Sequence, residues 1–209
     1  MKIQPFCLSS GYTNCYVASK GNDAYLIDAP DCISAALEYV RDEALNLKGV
    51  LLTHGHYDHV LGLCEVRKAY PSIPIHISKE DICFLEDGGK KNRDILSYFP
   101  SATREYNLLK SLPEDYIPYS DSIWEFTILK TPGHTMGSIC LLSEKDEVLF
   151  SGDTLFEGSI GRSDLGGSYS LLMESLGIMK TLNNRIVVLP GHGGFTTISK
   201  ELESNPYLR

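Results

Sequence analysis

The 209-residue chain is short of positive charge: 19 Lys and Arg stand against 27 Asp and Glu, a formal net charge of −8. Proteins that track nucleic acid or lie on an anionic bilayer need a surplus of cations, so neither is an expected partner. The chain also lacks any apolar run near the ~20 residues that cross a bilayer. The N-terminal MKIQPFCLSSGYTNCYV mixes Gln, Ser, Asn and Thr among its apolar residues, where a secretory signal would be continuous. Its six cysteines, Cys7, Cys15, Cys32, Cys64, Cys83 and Cys140, include no C-x-x-C pair, and most lie in apolar runs. A chain of this length does not need covalent staples, so buried thiols in a reducing cytoplasm are expected rather than a disulfide framework. Short-period repeats, low-complexity tracts and linker-like breaks are absent, and 43% hydrophobic with 22% charged residues suits one globular domain over 1–209.

What is present alternates strand and helix signals. Residues 14–18 and 24–27, with Gly21-Asn22 between them, predict a hairpin. Ile33, Leu37, Val40, Ala44 and Leu47 recur at helical spacing and leave Glu38, Arg41 and Asp42 on the wet side. A buried strand over 49–53, a helix over 60–70 stopped by Pro71, and a short strand over 74–77 follow, and Ser78 with Asp81 marks a helix start. Between about 87 and 121, Gly88-Gly89, Pro100, Pro113 and Pro118 break up mixed charges with no sustained period, which predicts an irregular excursion of lid-like length. Strands over 123–129, 138–142 and 148–150, a helix over 168–182 and a strand over 186–189 complete two similar α/β halves.

The strongest chemical signal is Thr53-His54-Gly55-His56-Tyr57-Asp58-His59, directly after an apolar strand. His54 and His56 lie two apart in an extended loop, so their rings can reach one ion from the same side of the backbone. Asp58 and His59 open the next helix and point elsewhere, a split that suits two ions a few ångströms apart. Three further candidates each follow a strand in a glycine-bearing turn: Pro132-Gly133-His134, Ser151-Gly152-Asp153 and Pro190-Gly191-His192. Ligands on loops at strand ends converge however far apart they are in sequence. His76, between Ile75 and Ile77, has no partner motif and reads as structural.

These runs, in this order, resemble the metallo-β-lactamase superfamily and, within it, the short-form hydroxyacylglutathione hydrolases, also called glyoxalase II. Asn14-Cys15-Tyr16, Leu26-Ile27-Asp28, Ser151-Gly152-Asp153-Thr154-Leu155-Phe156 and Leu189-Pro190-Gly191-His192-Gly193 are similar to family segments as well. The resemblance implies an α/β four-layer αββα sandwich, the metallo-β-lactamase fold, with the site at one edge. It implies two divalent metal ions: His54, His56 and His134 on the first, Asp58, His59 and His192 on the second, and Asp153 bridging. Zinc is the expected metal, and His and Asp ligands also admit iron or manganese. A water acidified between two cations would be the nucleophile, oriented by Asp58, and a small thioester such as S-D-lactoylglutathione the substrate.

The stretch around Gly161-Arg162-Ser163-Asp164 resembles a short bacterial subgroup in which Arg162 and Asp164 brace the metal loop; a solvated ion pair is the other reading of the same two residues. Longer glyoxalase II enzymes add a C-terminal helical domain with glutathione contacts, whereas here seventeen residues follow His192. Lys90, Lys91, Arg93, Tyr98, Arg104, Tyr106 and Lys110 of the excursion offer replacement contacts. Two other chemistries share the pattern. One is a persulfide dioxygenase with a single iron on His54, His134 and Asp153; the other is a lactonase.

Overall fold

In the computed structural model, residues 1–8, 12–98 and 103–209 are described. Positions 99–102 of the expected excursion, Pro100 among them, lie outside that range. Two units divide the chain: Met1–Ile77 with Asp81–Pro118, and Ser78–Glu80 with Tyr119–Arg209.

The first unit is built on a six-stranded mixed sheet in sequential order. β1 (Lys2–Leu8), β2 (Thr13–Lys20) and β3 (Asp23–Ile27) pair antiparallel, and β4 (Asn46–Leu51), β5 (Ile75–Ile77) and β6 (Ile117–Pro118) add on in parallel. Parallel neighbours need a crossover, and helices supply it: α1 (Ser34–Asp42) joins β3 to β4, and α2 (Tyr57–Val60) with α3 (Leu63–Ala69) joins β4 to β5. Leu26, Ile27, Val50, Leu51, Ile75 and Ile77 are fully buried on the strands, and Ala36, Val40, Leu63 and Val66 on the helices.

Helix α1 is shorter than its apolar spacing predicts. Ala44 takes a left-handed φ of 50° that ends the helix, and Leu47 becomes a strand residue paired with Ala24. The helix expected over 60–70 is likewise divided, because the Gly62 amide donates to the Ala29 carbonyl at 2.8 Å rather than continuing α2. A larger difference lies at 87–121, where the irregular expectation gives way to α4 (Glu86–Leu96) and α5 (Thr103–Leu109). Asp87, Gly88 and Gly89 interrupt α4 with φ of 52°, 61° and 65°, which breaks the sequence period, yet Ile95, Leu96 and Leu109 are buried.

The second unit carries a six-stranded sheet and a two-stranded ribbon. β7 (Ser122–Ile123), β8 (Phe126–Lys130), β9 (Ile139–Ser143) and β10 (Val148–Gly152) form an antiparallel meander. The ribbon β11 (Leu155–Phe156) and β12 (Ser159–Ile160) leads to α6 (Tyr169–Met179), which crosses over to β13 (Val187–Pro190), parallel to β10. β14 (Thr196–Thr197) pairs antiparallel with β13, and α7 (Ile198–Ser204) follows. The single strand expected over 123–129 is instead a tight hairpin, with Ile123 paired to Phe126 and Trp124 at φ 53°. No Asn-Gly or Asp-Gly marks that turn, so the sequence pattern hides it. Cys140, Leu142, Leu149, Leu176, Met179, Val188 and Ile198 form one buried cluster of sheet and helix residues in this unit.

None of the six cysteines forms a disulfide, and only Cys15 and Cys140 are buried. Cys64 is half-buried and Cys7, Cys32 and Cys83 are exposed. Apolar neighbours misled the expectation of burial, because alternate strand residues face opposite ways and Cys7 falls on the exposed side of β1. Among the described residues, no helix is long and apolar enough to cross a membrane.

Candidate metal centre

In the first unit the His-rich run leaves β4 and enters α2. Its anchor is Asp28, directly after β3, buried and held at φ 57°. Asp28 Oδ1 accepts from the Thr53 amide at 2.8 Å, and Oδ2 from the Thr53 hydroxyl and from His59 Nδ1, each also at 2.8 Å. A carboxylate only accepts, so His59 carries its proton on Nδ1 and turns the lone pair of Nε2 outward, the tautomer a metal ligand needs. Thr53 spends its hydrogen on Asp28, which leaves its oxygen to accept from His54 Nδ1 at 3.1 Å and gives His54 the same polarity. The His54 and His56 rings stand 4.9 Å apart, the His54 and His59 rings 4.2 Å, and His56 meets Phe84 edge to face at 5.1 Å. Asp58 Oδ2 accepts from the Thr13 hydroxyl at 3.2 Å and lies 3.7 Å from His59 Nε2. The run bends sharply at Gly55, where a Cβ would come within 2.9 Å of the Asp81 carbonyl oxygen and of Phe84 Cβ.

In the second unit His134 follows β8, Asp153 follows β10 and His192 follows β13. A register shift between Phe150 and Gly152 breaks the β10–β13 ladder just before Asp153, the kind of irregularity that re-aims a side chain. His134 Nδ1 donates to the Arg162 carbonyl at 2.6 Å, which again puts the ring lone pair on Nε2. Asp153 Oδ2 lies 3.4 Å from His134 Nε2 and 3.4 Å from His192 Nε2. The His192 ring meets Phe156 edge to face at 5.9 Å. At Gly161 a Cβ would fall 1.9 Å from the Asp153 carbonyl oxygen and 2.9 Å from His134 Nδ1, so only glycine lets this loop close on both donors.

These residues fit a divalent metal by their chemistry. Two donors each about 2.1 Å from a tetrahedral ion stand about 3.4 Å apart, which is the spacing of Asp153 from both histidines. The same spacing exceeds the roughly 2.7–3.2 Å of a good N–H···O bond. The donor set of imidazole and carboxylate suits zinc and also iron or manganese.

The structure therefore brings His54, His56, Asp58 and His59 together in one unit and His134, Asp153 and His192 in the other. Arg162 and Asp164 form a two-point ion pair at 2.6 Å with both side chains more than half exposed, and Arg162 reaches the His134 ring through its main-chain carbonyl. The Arg162 guanidinium holds the Asp164 carboxyl down at about 2. Sequence reading set Leu26-Ile27-Asp28 beside a family segment but gave no role to Asp28 or to Thr13. His76 lies on β5 opposite Leu51 of β4, and burial lowers its pKa from 6.5.

A family profile described as Metallo-beta-lactamase superfamily matches residues 9–192, a span that includes all seven candidate donors. The chain is 31% identical over 219 residues to the hydroxyacylglutathione hydrolase GloC of Haemophilus influenzae, a match covering 100% of this chain and 98% of that protein. A solved structure of TTHA1623 in a di-iron-bound form is similar with a TM-score of 0.84 and 30% identity, over 98% of this chain and 100% of that one. The BLEG-1 B3 metallo-beta-lactamase is similar with a TM-score of 0.83 and 31% identity, over 99% of both chains. The chain thus belongs to the metallo-β-lactamase superfamily, with that family's α/β fold and the candidate His and Asp donors of a metal-dependent hydrolase.

Proposed function

We propose that this protein is a binuclear, glyoxalase II-like hydrolase that cleaves a small thioester such as S-D-lactoylglutathione. In this reading His54, His56 and His134 would hold one ion and Asp58, His59 and His192 the other, with Asp153 as a further ligand. The observation that carries it is the single Asp153 oxygen at 3.4 Å from Nε2 of both His134 and His192, the separation two ligands keep around a shared ion. Similarity to GloC along the whole chain supports the thioester substrate. Zinc is the proposed metal, and the di-iron-bound neighbour supports iron as a second occupant.

When bound, the ion pair supplies Lewis acidity toward a thioester carbonyl and toward water near neutral pH, so no Ser or Cys nucleophile is required. The chain's own residues do the aiming. Asp28 and the Arg162 carbonyl set the tautomers of His59 and His134. Asp58, one-fifth exposed and steadied by Thr13, accepts a hydrogen bond from the attacking water and holds its lone pair toward the carbonyl carbon. The Arg162–Asp164 pair stiffens the loop whose carbonyl holds His134. The negative net charge and free thiols support a small-molecule substrate, with neither nucleic acid nor membrane as partner, in the cytoplasm.

The test is hydrolysis of S-D-lactoylglutathione by metal-reconstituted protein, followed by loss of thioester absorbance and paired with metal analysis. Asp58→Ala and His192→Ala should each lower the bound metal from two ions toward one and abolish turnover, with the far-UV spectrum unchanged. Full activity in either variant would overturn the two-metal reading. Oxygen uptake by iron-loaded protein given a persulfide, without thioester turnover, would replace hydrolysis by dioxygenation.

A further inference from the structure

The glycine between the two leading histidines has both of its main-chain polar groups held by buried side chains that lie outside the His-rich run. The Gly55 amide donates to Asp81 Oδ2 at 2.8 Å, and the Gly55 carbonyl accepts from Asn92 Nδ2, also at 2.8 Å. Asn92 Nδ2 donates as well to the Phe84 carbonyl at 3.1 Å. Asp81 and Asn92 are both fully buried. Phe84, likewise buried, sets its ring against His56 at 5.1 Å, and Lys91 Nζ lies 3.8 Å from the centre of that ring. Helix α4 thus grips the loop through Asn92 and its aromatic backstop through Lys91.

We infer that Asp81 and Asn92 are positioning residues for the metal ligands, clamping the peptide planes on either side of Gly55 so that His54 and His56 aim at one point. The inference rests on the metallo-hydrolase reading above. Fixing the 54–55 and 55–56 peptides fixes the directions in which the two Cβ atoms leave the chain, and a metal site tolerates only about 0.5 Å of misplacement in its ligands. Without the clamp a glycine can rotate both planes at little cost, because it has no Cβ to restrict it. Both side chains are desolvated to reach this glycine, and Asn92 ties it to the Phe84 carbonyl as well, so the loop and the aromatic ring behind His56 are held together.

Metal affinity, measured by chelator competition well below the melting temperature, separates aim from stability. Asn92→Ala is expected to weaken one of the two ions by about 10–100-fold, the range for residues that orient ligands. Its kcat should recover at saturating metal while half-activation moves to higher metal concentration. Asn92→Asp, which turns an acceptor toward the Gly55 carbonyl, should be no better than alanine. Asp81→Asn can keep an oxygen on the Gly55 amide and should retain most of the affinity. Val40→Ala, a core change on α1, serves as the control that lowers the melting temperature and leaves metal affinity alone.

If Asn92→Ala does not fold, Asp81→Ala against Asp81→Asn carries the test, and equal affinity in those two overturns the clamp. Wild-type affinity in Asn92→Ala overturns it alone, whereas wild-type protein that binds no metal would sink the metallo-hydrolase reading and the clamp together.

Discussion

Asp28 spends both carboxylate oxygens inside the protein, on the Thr53 amide, the Thr53 hydroxyl and the His59 ring. An asparagine there has one oxygen, so in either orientation its NH2 meets a donor, and a buried donor goes unpaired at about 1–3 kcal/mol. Asp28→Asn should therefore lower the urea midpoint and weaken metal binding roughly 10–100-fold; unchanged metal affinity would show that His59 needs no partner to hold its tautomer. The donor run was legible because metal ligation demands particular atoms, and His54, His56, Asp58 and His59 supply them within a few positions. Asp28 was not, because its partners lie 25 and 31 residues away and an aspartate at a left-handed turn is an ordinary turn residue. Asp81 was legible only in part. With Ser78 it marks a helix start, and a 3-10 helix does run over Lys79–Phe84, but its carboxylate accepts from the Gly55 amide, 26 residues earlier, which no local pattern signals.

At the scale of elements, strand β5 carries a titratable side chain into a half-buried place. Burial disfavours the charged form of His76, so its folded pKa lies below the 6.5 of the exposed ring. Below 6.5 the unfolded chain takes up a proton more readily than the folded one. The stability this site contributes is therefore complete above about 6.5 and is lost as pH falls through the lowered folded value. Urea midpoints at about pH 7.5 and about pH 5.5 should differ less in His76→Gln than in the wild type; an equal difference in both would assign the pH dependence to other groups. Element types were readable where a period is sustained, as in α6 with Leu172, Leu176 and Met179 buried along one face. They were hidden where a positive φ cuts the period: at Ala44 after α1, at Trp124 between β7 and β8, and at Asp87 in α4. Ala44 and Trp124 are not glycine, and composition carries no mark of a left-handed backbone there, whereas Gly88-Gly89 marked the break in α4 but not the helix beyond it.

On the scale of the whole molecule, the second unit holds an apolar cluster in which Leu176 is fully buried among Cys140, Leu149, Met179 and Val188. Truncation there removes methylene groups and leaves a cavity, so Leu176→Ala should cost about 2–5 kcal/mol in urea unfolding. A loss under about 0.5 kcal/mol, the size of a surface change, would mean the cluster collapses freely around the gap. The family, the α/β class and the loops bearing the seven candidate donors were determined by the sequence alone. Strand and helix periods are local, and ligand chemistry is written in residue identity. The tertiary structure decided which distant groups meet the candidate donor loops: Asp28 on His59, the Arg162 carbonyl on His134, and Asp81 with Asn92 on Gly55. It also decided which thiols reach water and that the mixed-charge segment 86–96, past its left-handed break at 87–89, is helical and buries Asn92, Ile95 and Leu96. Those hydrogen bonds join residues 26 to 37 positions apart, and such separations leave no periodic trace, because they are set by where folded strands end rather than by any neighbour in the chain.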